Sequence, residues 1–241
     1  MTIKTAVTQT VVAKASRWED FVDIFISPKE VFERRRDGRF GVALAVLTVL
    51  LTVLTYGYYS ALSTAFEGDI ARSAALAGEE AAQSMEMMAK FGQSLAIFGS
   101  LLTVPLGVFF SGLCIWIVAR VFGGRLSVGL GVTIATFAAF PRIFTMLSGI
   151  LQGILFNPDS LTRISAGPAR FLDPGTTSTA MIAAASRIDL FVLWSVILTA
   201  IGLRIIAGLR QSSAYMAAIL LWLAGALLAM GSSIITSGAG T

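Results

Sequence analysis

The chain has 241 residues, 56% of them hydrophobic and only 13% charged, with a mean hydropathy of +0.80, which excludes an ordinary soluble domain. It holds no histidine and a single cysteine, Cys114, so the commonest general base, metal ligand and pH switch are missing and no intramolecular disulfide can form. The net charge of +4 and the pI near 9.6 do not point to nucleic acid, because the basic residues flank apolar stretches, as they do in membrane proteins.

Residues 1–39 are polar, and the first apolar stretch begins only at Phe40. A cleaved secretory signal would place its apolar core nearer the start, so the first stretch is expected to act as an uncleaved signal-anchor. No lipidation motif is present. Within 17–36, Trp18, Phe21, Val22, Phe25 and Ile26 supply an apolar face. Ser27 then fits a helix N-cap, Pro28 the first helical position, and Glu30 the third position of a capping box. The pattern predicts two short helices lying at the cytoplasmic membrane surface, broken at Ser27-Pro28, the second running through Val31 and Phe32 into the arginines. Such a pair seats the first span or docks a partner. Trp18, Phe21, Phe25, Ser27, Pro28 and Phe32 are the candidate docking residues.

Five apolar stretches follow, at about 40–62, 95–118, 128–155, 188–209 and 214–235. Each is near or above the ~20 residues that carry a helix across ~30 Å of hydrocarbon. The expected fold is therefore all-α: a polytopic integral membrane protein with five transmembrane helices and N-terminal amphipathic interfacial helices. Its parts are a cytoplasmic segment at 1–39, a transmembrane domain at 40–236 and a short tail at 237–241. Charge supplies the orientation. Lys4, Lys14, Arg17, Lys29, Arg34, Arg35, Arg36 and Arg39 precede the first stretch, whereas 63–94 carries Glu67, Asp69, Glu79, Glu80 and Glu86 against Arg72 and Lys90. Arg120 and Arg125 mark the next loop as inside, and Arg204 and Arg210 do so for the last. The positive-inside rule then puts the N-terminus in the cytoplasm and the C-terminus outside.

Between the stretches, 65–91 reads as one or two helices outside the membrane, with Ala81, Ala82, Met85, Met87 and Met88 packing on the bundle. Residues 157–179, with Pro158, Gly167, Pro168, Pro174 and Gly175, read as an irregular outer loop. Pro141 stands near the middle of the third stretch and predicts a kink, because it gives no N–H and disfavours helical geometry at Phe140. Arg142 beside it costs on the order of 2.5–3.5 kcal/mol at the bilayer centre on insertion scales, so it is expected to face the bundle interior, a water cavity or a partner. Asp189 is the acid at the edge of the fourth stretch, expected at the outer interface within reach of Arg187 or the third helix. One arginine and one edge carboxylate do not make a proton relay. The GxxxG at Gly149–Gly153 and the small residues Gly131, Ala135, Ala139, Ser195, Thr199 and Gly202 let helices approach closely. They are expected to pack helices of one chain together.

Chemistry is not visible in this sequence. It has no HExxH, no phosphate-binding loop, no GxSxG and no paired intramembrane aspartates, and Gly123-Gly124 is a turn without a dinucleotide-binding context. The expectation is a protein that is not an enzyme, with no catalytic, cofactor or metal site.

One set of residues carries a resemblance. Phe21, Phe25, Ser27, Pro28 and Phe32 precede the first span, and Ile117-Val118-Ala119-Arg120-Val121-Phe122-Gly123-Gly124 ends the second. Pro141 lies inside the third, and Asp189-Leu190-Phe191-Val192-Leu193-Trp194-Ser195 opens the fourth, continuing to Leu198 and Ile201-Gly202-Leu203. The chain resembles the YIP (Ypt-interacting protein) domain family in its bacterial form, and Trp194 becomes a candidate residue through that motif. The resemblance implies five spans, a cytoplasmic N-terminus and a bacterial inner membrane. Eukaryotic members of the family are associated with Rab-type small GTPases and with vesicle transport or membrane shaping, a role that reaches a bacterial chain only by fold-level analogy.

The functional expectation is a non-enzymatic adaptor, scaffold or accessory subunit of a membrane complex, docking through 17–39. Its partners would be membrane lipids and either a protein or further copies of itself, and no nucleic acid. The alternatives are a small transporter or channel using the kinked third span at Pro141-Arg142, and a membrane-shaping or lipid-organising protein acting through the interfacial helices.

Overall fold

A computed structural model describes residues 18–77 and 79–238, and all regular structure among them is helical. Lys4, Lys14 and Arg17 lie outside the described residues. Helices α1 (Asp20–Ile26) and α2 (Pro28–Arg34) form a short pair, parted where Pro28 takes the first helical position. The expected capping box does not form. Ser27 has φ −133° and ψ 58°, short of the extended geometry that aims a capping hydroxyl at the helix, and its side chain makes no capping hydrogen bond.

Four segments are long and apolar enough to cross a membrane: α3 (Gly41–Ala61), the Phe91–Val121 part of α5 (Glu79–Val121), the Val128–Phe156 segment, and Gln211–Gly231 within α10 (Gln211–Gly238). A fifth crossing is composite. The helix expected at 188–209 runs only over 17 residues as α9 (Leu190–Ile206), ~25 Å by helical rise. It joins α8 (Thr179–Ala185) at a bend of 55°. Residues 180–185, between the expected outer loop and the expected span, are thus helical, and the span is broken at 186–189. The 65–91 region likewise divides. Its first part is α4 (Ser63–Ala77), and the remainder continues into the second span as one helix, α5. Met85, Met87 and Met88 lie outside the residues whose side chains are described.

The third span is also broken. α6 (Val128–Ala138) and α7 (Arg142–Phe156) are separated at 139–141, at the proline. α6 is the hub of the bundle, buried without interruption from Gly131 to Ala138. α7 packs against α3 through the GxxxG pair: a Cβ on Gly153 would overlap the Ala61 carbonyl, and one on Gly149 would overlap the Tyr58 ring. Those glycines therefore serve contact within the chain.

Connections fix two faces. At the N-terminal face, Arg125 N–H donates to the Ala207 carbonyl at 3.2 Å, tying the α5–α6 loop to the end of α9. At the far face, the Asp69 carboxylate on α4 accepts from Ser160 Oγ at 2.9 Å and Leu161 N–H at 3.0 Å, tying α4 to the loop after α7. Large apolar side chains of α5 and α10, such as Phe98, Leu102, Leu106 and Leu228, are exposed around the outside. In a multi-pass membrane protein that surface meets lipid.

Candidate functional site

The N-terminal hairpin carries most of the candidate docking residues, and the structure turns most of them inward. Ile24, Val31 and Phe32 are fully buried. Phe32 meets Phe137 edge-on, with centroids 6.3 Å apart, and fits against Gly202 of α9. Phe25 is surrounded by Phe144 at 5.0 Å, Trp194 at 5.4 Å and Phe140 at 6.5 Å. Phe21 stacks on Phe140 at 5.6 Å. Phe21, Phe25, Phe32 and Trp194 thus belong to one aromatic core, not to a free surface. The physical reason is the break in the third span. It presents Phe137, Phe140 and Phe144 at its corner, where Phe21, Phe25 and Phe32 of α1 and α2 pack with ring centroids 5.0–6.5 Å apart. Ser27 and Pro28 are half-buried at the turn.

Charges hold this hairpin in place. Asp20 is only 1% exposed. Its carboxylate accepts from Arg34 Nε at 2.8 Å and from Arg35 Nε at 2.5 Å. Arg34 also donates to Asp23 at 2.5 Å. Burial pulls the Arg34 guanidinium down, but its bonds and charge contacts with Asp20 and Asp23 outweigh that and hold it above the ordinary arginine range. Of the arginines that precede the first span, Arg34 and Arg35 are therefore structural as well, whereas Arg36 and Arg39 are exposed. On the opposite side of α1, Val22 and Ile26 stand one turn apart and are 59% and 74% exposed, while Trp18, before the helix, is 67% exposed and lies beside Phe21 with ring centroids 5.7 Å apart. The one-turn spacing lines up Val22 and Ile26 as an apolar ridge.

The two broken spans make the second site. Pro141 is buried, with φ −58°, and occupies the N-cap position of α7. Arg142 follows and its side chain is exposed. In the other break, Asp189 is buried rather than placed at the outer interface. Its Oδ1 caps α9 by accepting from Phe191 N–H at 2.9 Å, and its Oδ2 accepts from Ala166 N–H at 2.8 Å. Among the described residues it forms no ion pair with an arginine, and each of its oxygens serves a backbone donor. The neighbouring Arg187 carbonyl accepts from Trp222 Nε1 of α10 at 3.0 Å.

Arg142 and Arg187 line the same cleft, of about 550 Å³, together with Ser111 and Cys114 of α5, Thr145 of α7 and Ser195 of α9. Sequence reading placed Arg187 only as a possible partner for Asp189. The overlooked signal is Ser186-Arg187-Ile188-Asp189, which interrupts an apolar run as Pro141-Arg142 does. Among the described residues no group of three or more His, Cys, Asp or Glu side chains converges to hold a metal ion.

The Yip1 domain family model matches residues 22–232, from within α1 to within α10. No curated protein and no solved structure matches the chain.

Proposed function

The chain belongs to the Yip1 domain family of multi-pass membrane proteins, and on that footing we propose that it is a non-enzymatic adaptor, scaffold or accessory subunit of a membrane complex. The observation that carries this reading is the ridge of Val22 and Ile26, with Trp18 at its edge. The ridge rides on a helix whose other face is seated on the bundle by Phe25 and Ile24 and is tied to α2 by the Asp20 ion pairs. A rigidly held apolar ridge is preorganised, so a partner helix that lies along it costs little ordering of this chain. We take the N-terminal face as cytoplasmic and the membrane as a bacterial inner membrane, from the arginine-rich flank of α3. The occupant is an apolar segment of a second membrane protein.

The test is purification of the full chain from its native membrane on a C-terminal tag, with the co-purifying protein counted. Val22→Ser with Ile26→Ser is expected to lose a stoichiometric partner while leaving insertion and thermal melting unchanged. The exposed far-face substitution Phe171→Ser is expected to keep it. A partner retained by the double variant, or lost equally by both, would refute the reading.

A further inference from the structure

Independently of the ridge, the two broken spans share an unexplained property. Each carries an arginine at or beside its break, and both arginines point into one cleft. Among the described residues neither guanidinium has an ion pair. The acid nearest in sequence, Asp189, is committed to two backbone N–H groups. Two like charges thus line one cleft, and no carboxylate is among its lining residues.

Arg187 stands just before Leu190, the start of α9, which runs ~25 Å to Ile206 beside the N-terminal face, and Arg142 opens α7 beyond the break that follows α6. Arg187 is thus set toward the far side of a ~30 Å hydrocarbon layer, the side on which phosphates of one leaflet lie. Phe110 of α5 and Leu228 of α10, both exposed on the outside of the bundle, stand at the edge of the cleft. It therefore opens sideways toward lipid. Hydroxyls of Ser111, Thr145 and Ser195 are the other polar groups along its walls.

We propose that this cleft binds the phosphate-bearing headgroup of an anionic phospholipid, with Arg142 and Arg187 gripping the phosphate and the acyl chains leaving between α5 and α10. Guanidinium is suited to phosphate because its planar fork donates two parallel hydrogen bonds and sheds water more readily than an ammonium. A volume of about 550 Å³ accommodates a headgroup. The sideways mouth and apolar edge favour a lipid over a water-soluble phosphate, which would need an aqueous entry. Thr145 offers a hydroxyl donor to a remaining headgroup oxygen, whereas the Ser111 and Ser195 hydroxyls already donate to the Gly107 and Phe191 carbonyls at 2.7 and 3.1 Å.

The experiment uses the full-length, delipidated protein in detergent. Melting temperature and native mass spectra are followed during titration with short-chain phosphatidylglycerol, with phosphatidylcholine, and with glycerol 3-phosphate. Phosphatidylglycerol is expected to raise the melting temperature by mass action and to stay bound at one copy per chain, while the other two do neither. Arg142→Gln and Arg187→Gln are each expected to weaken it about tenfold or more, the scale of a lost charge-assisted bond pair. Arg120→Gln, which removes a charge stacked on Trp116 outside the cleft, is expected to leave binding unchanged. Ser195→Phe plugs the cleft without touching either arginine and is expected to weaken binding as much, which keeps the test open if an arginine variant does not fold. Equal binding of phosphatidylcholine, equal binding of glycerol 3-phosphate, or full affinity in Ser195→Phe would overturn the proposal.

Discussion

Asp20→Asn isolates what holds the N-terminal hairpin. The carboxylate is buried and is the acceptor for both Arg34 and Arg35, while Arg34 alone has a second acid in Asp23. Removing one member of a buried pair typically costs about 3–5 kcal/mol. Here the arginine side chains are 27% and 14% exposed, so water partly resolvates them, and about 2–3 kcal/mol is expected. At about 1.4 kcal/mol per factor of ten, the hairpin should open some 30- to 150-fold more often. The cost should be local, because the spans do not depend on this carboxylate. Asp23→Asn is the control: its side chain is 29% exposed and it bonds Arg34 only, which predicts about 0.5–1 kcal/mol. Hydrogen exchange with mass spectrometry on the full chain in lipid nanodiscs reads both. Peptides of α1 and α2 should lose protection in Asp20→Asn by the factor above, with peptides of α10 unchanged. Equal loss in the two variants, or loss spread evenly over every span, would refute the assignment of Asp20 as the clamp.

Two further outcomes are expected. Phe25→Ala should lower stability by about 3 kcal/mol, the low end for a large aromatic because Phe25 is half-buried, read as a fall in melting temperature and a weaker near-ultraviolet signal from the Trp194 cluster. Asp189→Ala removes the α9 cap, at about 1 kcal/mol, and orphans the Ala166 N–H, at about 1–3 kcal/mol. Its melting temperature should therefore fall further than that of Asp189→Asn, which keeps one acceptor oxygen.

Much of the architecture is legible because long apolar runs have few alternatives in lipid: every backbone group must be satisfied within the segment, and a helix does that. Pro28 and Pro141 mark breaks for an equally local reason, the missing N–H. What the sequence hides is tertiary. Nothing local says whether Phe21 and Phe25 face a membrane surface or a neighbouring helix, because either environment rewards the same apolar stripe. The answer lies in Phe140, Phe144 and Trp194, more than a hundred residues away. Asp189 misleads in the same way. A carboxylate at a span's edge looks like an interface residue, and its burial is affordable only because Ala166 returns from the loop to donate to it. Arg187 escaped notice because its significance comes from sharing a cleft with Arg142, a relation between two breaks that neither segment displays alone.

The unequal helix lengths bear on the bilayer around the protein. The apolar part of α5, Phe91–Val121, spans ~45 Å along its axis, whereas α9 spans ~25 Å. A flat hydrocarbon slab of ~30 Å matches neither. The long helix must tilt steeply or draw the leaflets apart, and the short one crosses only with the help of α8 or by thinning the layer, at a cost of fractions of a kcal/mol per ångström of misfit. Both present side chains to the outside, Phe98 and Leu102 on one and Leu190 and Ile197 on the other. Lipids circling the protein therefore meet a thickness that changes with direction, and a molecule with such a profile has a preferred orientation wherever the membrane itself varies in thickness.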